Sequence, residues 1–213
     1  MSRSLIYRWQ ETERCGRYTV NHVVDGSRRG FTIIDTPGLA DRRTTDENLK
    51  ILQGIANELR QLGQEQVSGV IYFHSIESPR FDGIHKDNVR VLKAICGERF
   101  SPHVAFVTTQ WNRISKEAFP IYEGRHNQFD QEFQRLLPGA PSTFKFATDG
   151  KSHQLLLEYF ARLAKPDHQL RFAQELERYM HRKDIKISAV KKTTVGKQIT
   201  SKKKVRSGIC TFL

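Results

Sequence analysis

Cysteine is scarce in this 213-residue chain. Cys15, Cys96 and Cys210 are odd in number and too far apart for a disulfide framework or a zinc site, which fits a reducing compartment. No run of 18 apolar residues occurs and no apolar signal-peptide core opens the chain, so neither a membrane span nor secretion is expected and the chain reads as cytoplasmic. Acidic residues are missing from the last part: Lys186 to Leu213 carries eight Lys or Arg and no Asp or Glu, against 27 basic and 23 acidic residues before it. The formal charge of +12 therefore describes a basic arm and not a basic binding face. Of the eight His, none stands at metal-binding spacing from Cys or a carboxylate; His22, His74 and His85 are read as ordinary residues.

What is present suits one α/β domain with a tail. Hydrophobic residues make up 38% of the chain, and 13 Phe supply bulk for a core. Tyr18 to Val24, the turn signal Asp25-Gly26-Ser27 and Phe31 to Ile34 read as an antiparallel hairpin, with Arg28 and Arg29 in its loop. Asp46 can start a helix with Leu49, Leu52, Ile55, Ala56, Leu59 and Leu62 on one face. Val67 to Phe73 is a strand apolar enough for burial on both faces. Lys86 to Cys96 is a helix closed by Gly97, Val104 to Thr109 a strand, Glu123 to Leu137 a helix, Thr143 to Ala147 a short strand, and Ser152 to Ala164 a helix. This alternation predicts a mostly parallel sheet with helices on both faces. A further helix is expected from Leu170 to about Ile185, and beyond Ala189 a flexible run of Lys, Thr, Ser and Gly. The organisation is thus an N-terminal remnant (1–17), a body (18–165), a C-terminal helix (166–187) and a basic tail (188–213).

The chemistry concentrates in Phe31-Thr32-Ile33-Ile34-Asp35-Thr36-Pro37-Gly38, an apolar strand running into a corner. In a P-loop NTPase an Asp at the end of a core strand holds Mg²⁺, and a following Gly lends its N–H to the terminal phosphate. Four residues alone also describe a good turn. More of the chain agrees: Asp25-Gly26 in the hairpin, Gly69-Val70-Ile71-Tyr72-Phe73-His74 with Arg80 and Gly83, Cys96-Gly97, and Val107-Thr108-Thr109-Gln110-Trp111-Asn112. This series resembles a fungal branch of the AIG1-like P-loop GTPases, well over about half of the chain and loosely up to Leu163.

The resemblance implies a three-layer α/β fold of P-loop NTPase type, binding of GTP or GDP with Mg²⁺, and a switch function. By position, Asp35, Thr36, Pro37 and Gly38 would form the motif that meets Mg²⁺ and the terminal phosphate, and Leu39 to Thr45 the second switch. Thr12 would be the remnant of the first switch and a second Mg²⁺ ligand. Thr108, Thr109, Trp111 and Asn112 would lie at the base. Trp111 stands where an Asp usually accepts from guanine N1 and N2; it can stack on a base, or it can close the core at a strand end, and both readings stay open. Ala147-Thr148-Asp149-Gly150 falls at the last base-contacting loop.

No phosphate loop accompanies this corner. Gly150-Lys151-Ser152 lies after it instead of before it and has Lys145 where the first Gly should sit, so it reads as the loop and cap ahead of the next helix. Gly196-Lys197-Gln198 has no preceding strand and no hydroxyl. The resembled fold places its first strand between the strands that end at Asp35 and Phe73, so the sheet is expected to lack a central strand. Leu5 to Trp9 could fill the gap, or the flanking strands could close together. Without the loop's N–H groups and Lys, little or no GTP hydrolysis is expected.

A non-catalytic module is the main alternative, docking through the second-switch region and the helix 46–62 onto a partner, including a homologous G domain as homo- or heterodimer. For the tail, Lys202-Lys203-Lys204-Val205-Arg206 can meet an anionic membrane surface, and Cys210-Thr211-Phe212-Leu213 satisfies the prenylation rule loosely; a plain solubilising tail is the other reading. Nucleic acid is disfavoured because no aromatic residues interleave the basic run.

Overall fold

The computed structural model describes residues 14–38, 44–62, 67–78, 83–141, 143–147, 151–163, 166, 169–177, 185–201 and 209–212. Its frame is one six-stranded mixed sheet. Strands β1 (Gly16–Val24) and β2 (Ser27–Asp35) form the expected hairpin, longer at both ends than the apolar pattern suggests. Asp25 and Gly26 both have positive φ, 50° and 75°, which is the type I′ turn whose twist matches that of paired strands. Arg28 and Arg29 consequently lie within β2 rather than in a loop. β3 (Val70–Ser75), β4 (Val104–Thr109) and β5 (Phe144–Lys145) follow, and the strand order is β1-β2-β6-β3-β4-β5, where β6 is Ile209–Phe212.

β6 pairs antiparallel with β2 on one side and with β3 on the other, which makes β2 parallel to β3; β4 and β5 are parallel to β3 in turn. Between the strands ending at Asp35 and Phe73, where a gap was expected, lies the C-terminal strand β6. Leu5 to Trp9 lie outside the described residues, and the flanking strands have not closed together. The C-terminal strand supplies the pairing that a bare gap would leave unsatisfied at about 1 to 3 kcal/mol per buried group.

Helix α1 (Thr45–Leu62) begins at a reciprocal cap. Thr44 Oγ1 accepts from the Glu47 N–H at 3.3 Å, and Glu47 Oε2 accepts from the Thr44 N–H at 2.6 Å. α2 (Gly83–Cys96) ends at Gly97, whose φ of 80° lets its N–H reach the Lys93 carbonyl at 2.8 Å. α3 (Phe119–Leu136) starts four residues before the expected position because Pro120 suits a first helical turn. α4 (Ser152–Arg162) has the expected start.

The pleat explains the layers. Val70, Tyr72, Val104 and Phe106 face a large core shared with α1, α2 and α3, while Ile71, Ala105 and Val107 face a smaller one closed by Leu156 and Phe160 of α4. A sheet buried on both faces needs the continuous apolar runs that β3 and β4 carry.

The tail departs most from expectation. Of the predicted 166–187 helix, Arg171–Leu176 (α5) is helical, whereas Leu170 and Ile185, expected at its ends, are not. Ile187–Val190 (α6) and Thr194–Ser201 (α7) are helical, and Ile185, Ala189, Val190, Val195 and Ile199 are buried in the large core. Thr193 caps α7, its Oγ1 accepting from the Gly196 N–H at 3.1 Å. The start of the tail is held by α1: Asn57 Oδ1 accepts from the Ile185 N–H at 3.0 Å and Gln53 Nε2 donates to the Ile185 carbonyl at 2.8 Å. A segment rich in Lys, Thr and Gly thus folds because a few apolar residues find a ready surface, a tertiary effect that local composition does not report.

Candidate functional site

β2, β3 and β4 run the same way, so Asp35, Ser75 and Thr109 mark their ends on one edge of the sheet, where ligands bind in open α/β folds. The register shows that these ends are not level. Asp35 lies opposite Thr211, which lies opposite Ile71, which lies opposite Ala105. Four residues separate that level from Ser75 and Thr109, about 13 Å at a strand's rise, and three strand spacings add about 14 Å sideways. The Asp35 corner and the Thr108–Asn112 segment therefore share an edge without meeting at one point.

At the corner, Asp35 is half-buried, Thr36 and Pro37 are buried, and Gly38 is half-buried. Pro37 lines a cleft of about 530 Å³ together with Arg14, Cys15, Lys50, Glu47 and Glu58. Gly16 is paired with Asp35, which brings Cys15 beside the corner. Burial, and then the carboxylates of Glu58 and Asp35, push the Cys15 thiol up to about 11. Glu58 itself is held by Arg17 at 3.0 Å. Nothing in the sequence marked Cys15 or Glu58 as neighbours of the corner, since both arrive through tertiary packing. Thr12, the proposed second Mg²⁺ ligand, and residues 39–43 of the second switch lie outside the described residues, as do Thr148, Asp149 and Gly150.

The second segment is organised by Thr108. Its Oγ1 donates to the Phe144 carbonyl at 3.2 Å, accepts from the Trp111 indole N–H at 2.9 Å and lies 3.0 Å from His126 Nδ1. A hydroxyl has one proton, and with that proton on Phe144 the His126 Nδ1 must be the donor, which assigns the tautomer. Burial, and then the nearby Lys145 ammonium, lower the His126 pKa, with Glu123 and Asp130 opposing. Trp111 is 7% exposed, between Phe119, His126 and the Lys145 ammonium, whose Nζ lies 5.2 Å from the centre of the indole ring. Thr108 is wholly buried. Thr108 and Trp111, expected at a base, are both interior with their polar groups used within the protein, and Trp111 packs at the end of β4.

Asn112 is exposed, and Thr109 is half-buried with its hydroxyl donating to the His74 carbonyl at 3.4 Å. Gln110 between them adopts φ 67°, left-handed for a residue with a side chain, and its Oε1 accepts from Ser75 at 2.6 Å. That turn sends Trp111 inward and leaves Asn112 outside. Arg125 holds the neighbouring turn, donating to the carbonyl of Ile76 at 3.0 Å and of Glu77 at 3.3 Å. Ser152 Oγ accepts from the Ala147 N–H at 3.0 Å, a loop and helix-start role in keeping with the reading of Gly150-Lys151-Ser152.

Among the described residues no group of three or more His, Cys, Asp or Glu is arranged to hold a metal ion. Arg14 and Lys50 place cations in the cleft that adjoins the corner. Among the described residues no helix is long and apolar enough to cross a membrane. Cys210 belongs to β6, where its backbone is paired with Tyr72. No protein-family model matches the chain, and no curated protein matches it.

Proposed function

We propose that this chain is a guanine-nucleotide-binding module of G-domain type that does not turn GTP over. Asp35 would hold Mg²⁺ and Gly38 would meet the terminal phosphate, with Thr36 and Pro37 shaping the corner and Thr109 and Asn112 on the base side. One observation carries the reading. β2 and β3 run parallel on either side of β6, and the Asp35 corner leaves β2 beside a cleft into which Arg14 and Lys50 bring cations.

β6 argues against hydrolysis. It runs antiparallel to β2, so its C-terminal end points to the sheet edge opposite the corner, and the strand beside the corner is not one that leads into a phosphate loop there. When bound, Mg²⁺ neutralises phosphate oxygens; this chain's own contribution is to position that ion through Asp35 and to offer Lys50 and Arg14 to the phosphates.

Titration with a fluorescent guanine nucleotide in the presence of Mg²⁺ tests this. Saturable binding, weakened at least tenfold by Asp35→Ala and without release of phosphate, is expected. Absence of saturable binding at high micromolar protein overturns it and leaves the second reading, a non-catalytic interaction module, which the occupied central strand position favours. On α1 such a module would offer the exposed Asp46, Glu47, Lys50 and Gln61 and the cleft beside them, the rest of the helix being packed against the sheet core and the tail.

A further inference from the structure

The two edges of the sheet differ. β5 is two residues long, too short to template another strand, whereas β1 is nine residues long and has no strand on its outer side among the described residues. Exposed edges of that length are normally blunted by Lys, Pro or a bulge. β1 has none of these: its sequence is Gly16-Arg17-Tyr18-Thr19-Val20-Asn21-His22-Val23-Val24, and its nine one-to-one pairs with β2 run unbroken. Its Arg17 is drawn to Glu58 on α1. Two large apolar side chains stand exposed on it, Tyr18 at 58% and Val23 at 59%.

The type I′ turn sets the hydrogen-bond phase. A two-residue turn makes Val24 and Ser27 a hydrogen-bonded pair, so by alternation Arg17, Thr19, Asn21 and Val23 aim their N–H and C=O groups away from β2. A two-fold axis through Val20 then pairs the strand with itself over its whole length. Thr19 meets Asn21 and Arg17 meets Val23 as outward hydrogen-bonding pairs, Tyr18 meets His22, and Val20 meets its own copy. No like charges face each other in this arrangement, and each Val23 gains the Arg17 stem as apolar cover.

We infer that β1 is a homodimer interface: a second copy of this chain adds its own β1 antiparallel about Val20, joining two six-stranded sheets into one. The partner is another copy rather than an unrelated peptide because full-length overlap, hydrogen-bond phase and charge are satisfied together by self-pairing. This interface is independent of the nucleotide reading.

Sedimentation equilibrium of the full chain and of Val23 variants tests it. Val23 is exposed in the monomer, so its replacement leaves the fold intact. Val23→Lys puts a cation opposite Arg17 twice per dimer and is expected to weaken dimerisation at least tenfold, about 1.4 kcal/mol. Val23→Glu at the same place is expected to tighten it. Ile121→Lys, at an exposed position on α3, should change nothing. Val20→Cys should give a covalent dimer on oxidation, since non-hydrogen-bonded antiparallel pairs bring Cα atoms within disulfide reach. A chain monomeric at all concentrations, or a dimer that responds alike to Lys and Glu at position 23, overturns the inference.

Discussion

Asp35 stands opposite Thr211, so the residue with the most chemical promise is clasped in a ladder with the C-terminal strand. The corner and β6 are thereby mechanically linked. β6 is central, with β2 and β3 on either side, and a Pro within it removes a ladder donor where no solvent can replace it. Thr211→Pro leaves a buried ladder acceptor without its donor and is expected to cost about 1 to 3 kcal/mol in urea denaturation. Thr211→Val, which keeps the donor and suits a strand, should stay close to the parent. An unchanged midpoint for the Pro variant would show that β6 does not fill this position in solution.

Trp111 separates a core role from a ligand role. Trp111→Phe keeps most of the apolar volume and removes the N–H that Thr108 accepts. Thr108 Oγ1 keeps the His126 donor, so the loss is that of one hydrogen bond, about 0.5 to 1.5 kcal/mol, which thermal unfolding should record. Affinity for a fluorescent guanine nucleotide should not move. A variant with parental stability and weaker nucleotide binding would restore the base-stacking role.

His126 gives the fold a pH dependence of definite sign. Its folded pKa is depressed by burial and by Lys145, so between the ordinary His value and the lower folded one the unfolded chain binds more protons. Stability is then fully present above about pH 6.5 and declines as pH falls through that window. The melting temperature of His126→Gln should show a shallower decline than the parent's. Equal slopes would assign the acid sensitivity to other groups.

The parts of this architecture that could be read from the sequence are those where local pattern and tertiary role agree. Strand β4 has the bounds that its apolar run predicts, α2 stops at Gly97, and the hairpin turns at Asp25-Gly26. The parts that could not be read depend on partners distant in the chain. Nothing in Ile209-Cys210-Thr211-Phe212 by itself says that it belongs beside Ile34 and Val70, because four β-prone residues become a strand only where two edges await them. At the site, Asp35 and Pro37 occupy the expected corner, whereas the inward turn of Trp111 follows from the left-handed Gln110, which no propensity foretells.

Cys15 reports on the corner without any ligand. With its thiol pushed up to about 11, its thiolate fraction at pH 8 is about a hundredfold below that of a thiol at the ordinary value near 9. Alkylation at Cys15, followed by mass spectrometry of its peptide, should be slow by about that factor relative to the same peptide unfolded in urea. Glu58→Gln removes the larger of the two carboxylate contributions and should speed the reaction, with Asp35→Asn doing so less. The linkage has a fixed sign: a raised folded pKa means that the folded state holds the proton longer, so stability falls as pH rises from about 9 through 11. Rapid labelling of native Cys15 would place its sulfur in open water, away from Asp35.

Glycine at positions 69 and 196 is a packing requirement that ordinary φ values conceal. A Cβ on Gly69 would overlap the Phe160 ring, and one on Gly196 would overlap the Val190 carbonyl. The two neighbours differ in what they can yield. Phe160 is a side chain at the end of α4 and can shift, so Gly69→Ala should cost about 1 to 3 kcal/mol and be largely relieved by adding Phe160→Leu. Val190 offers backbone in the last turn of α6, held by its N–H to the Lys186 carbonyl at 3.3 Å, and has no rotamer to give. Gly196→Ala should therefore exceed Gly69→Ala in cost and resist rescue by a smaller side chain at position 190. Amide exchange in α7 should rise in Gly196→Ala before the rest of the core responds, because Thr193 and Gly196 together fix that helix on α6. Equal tolerance of Ala at both positions would mean that α7 is not seated against α6.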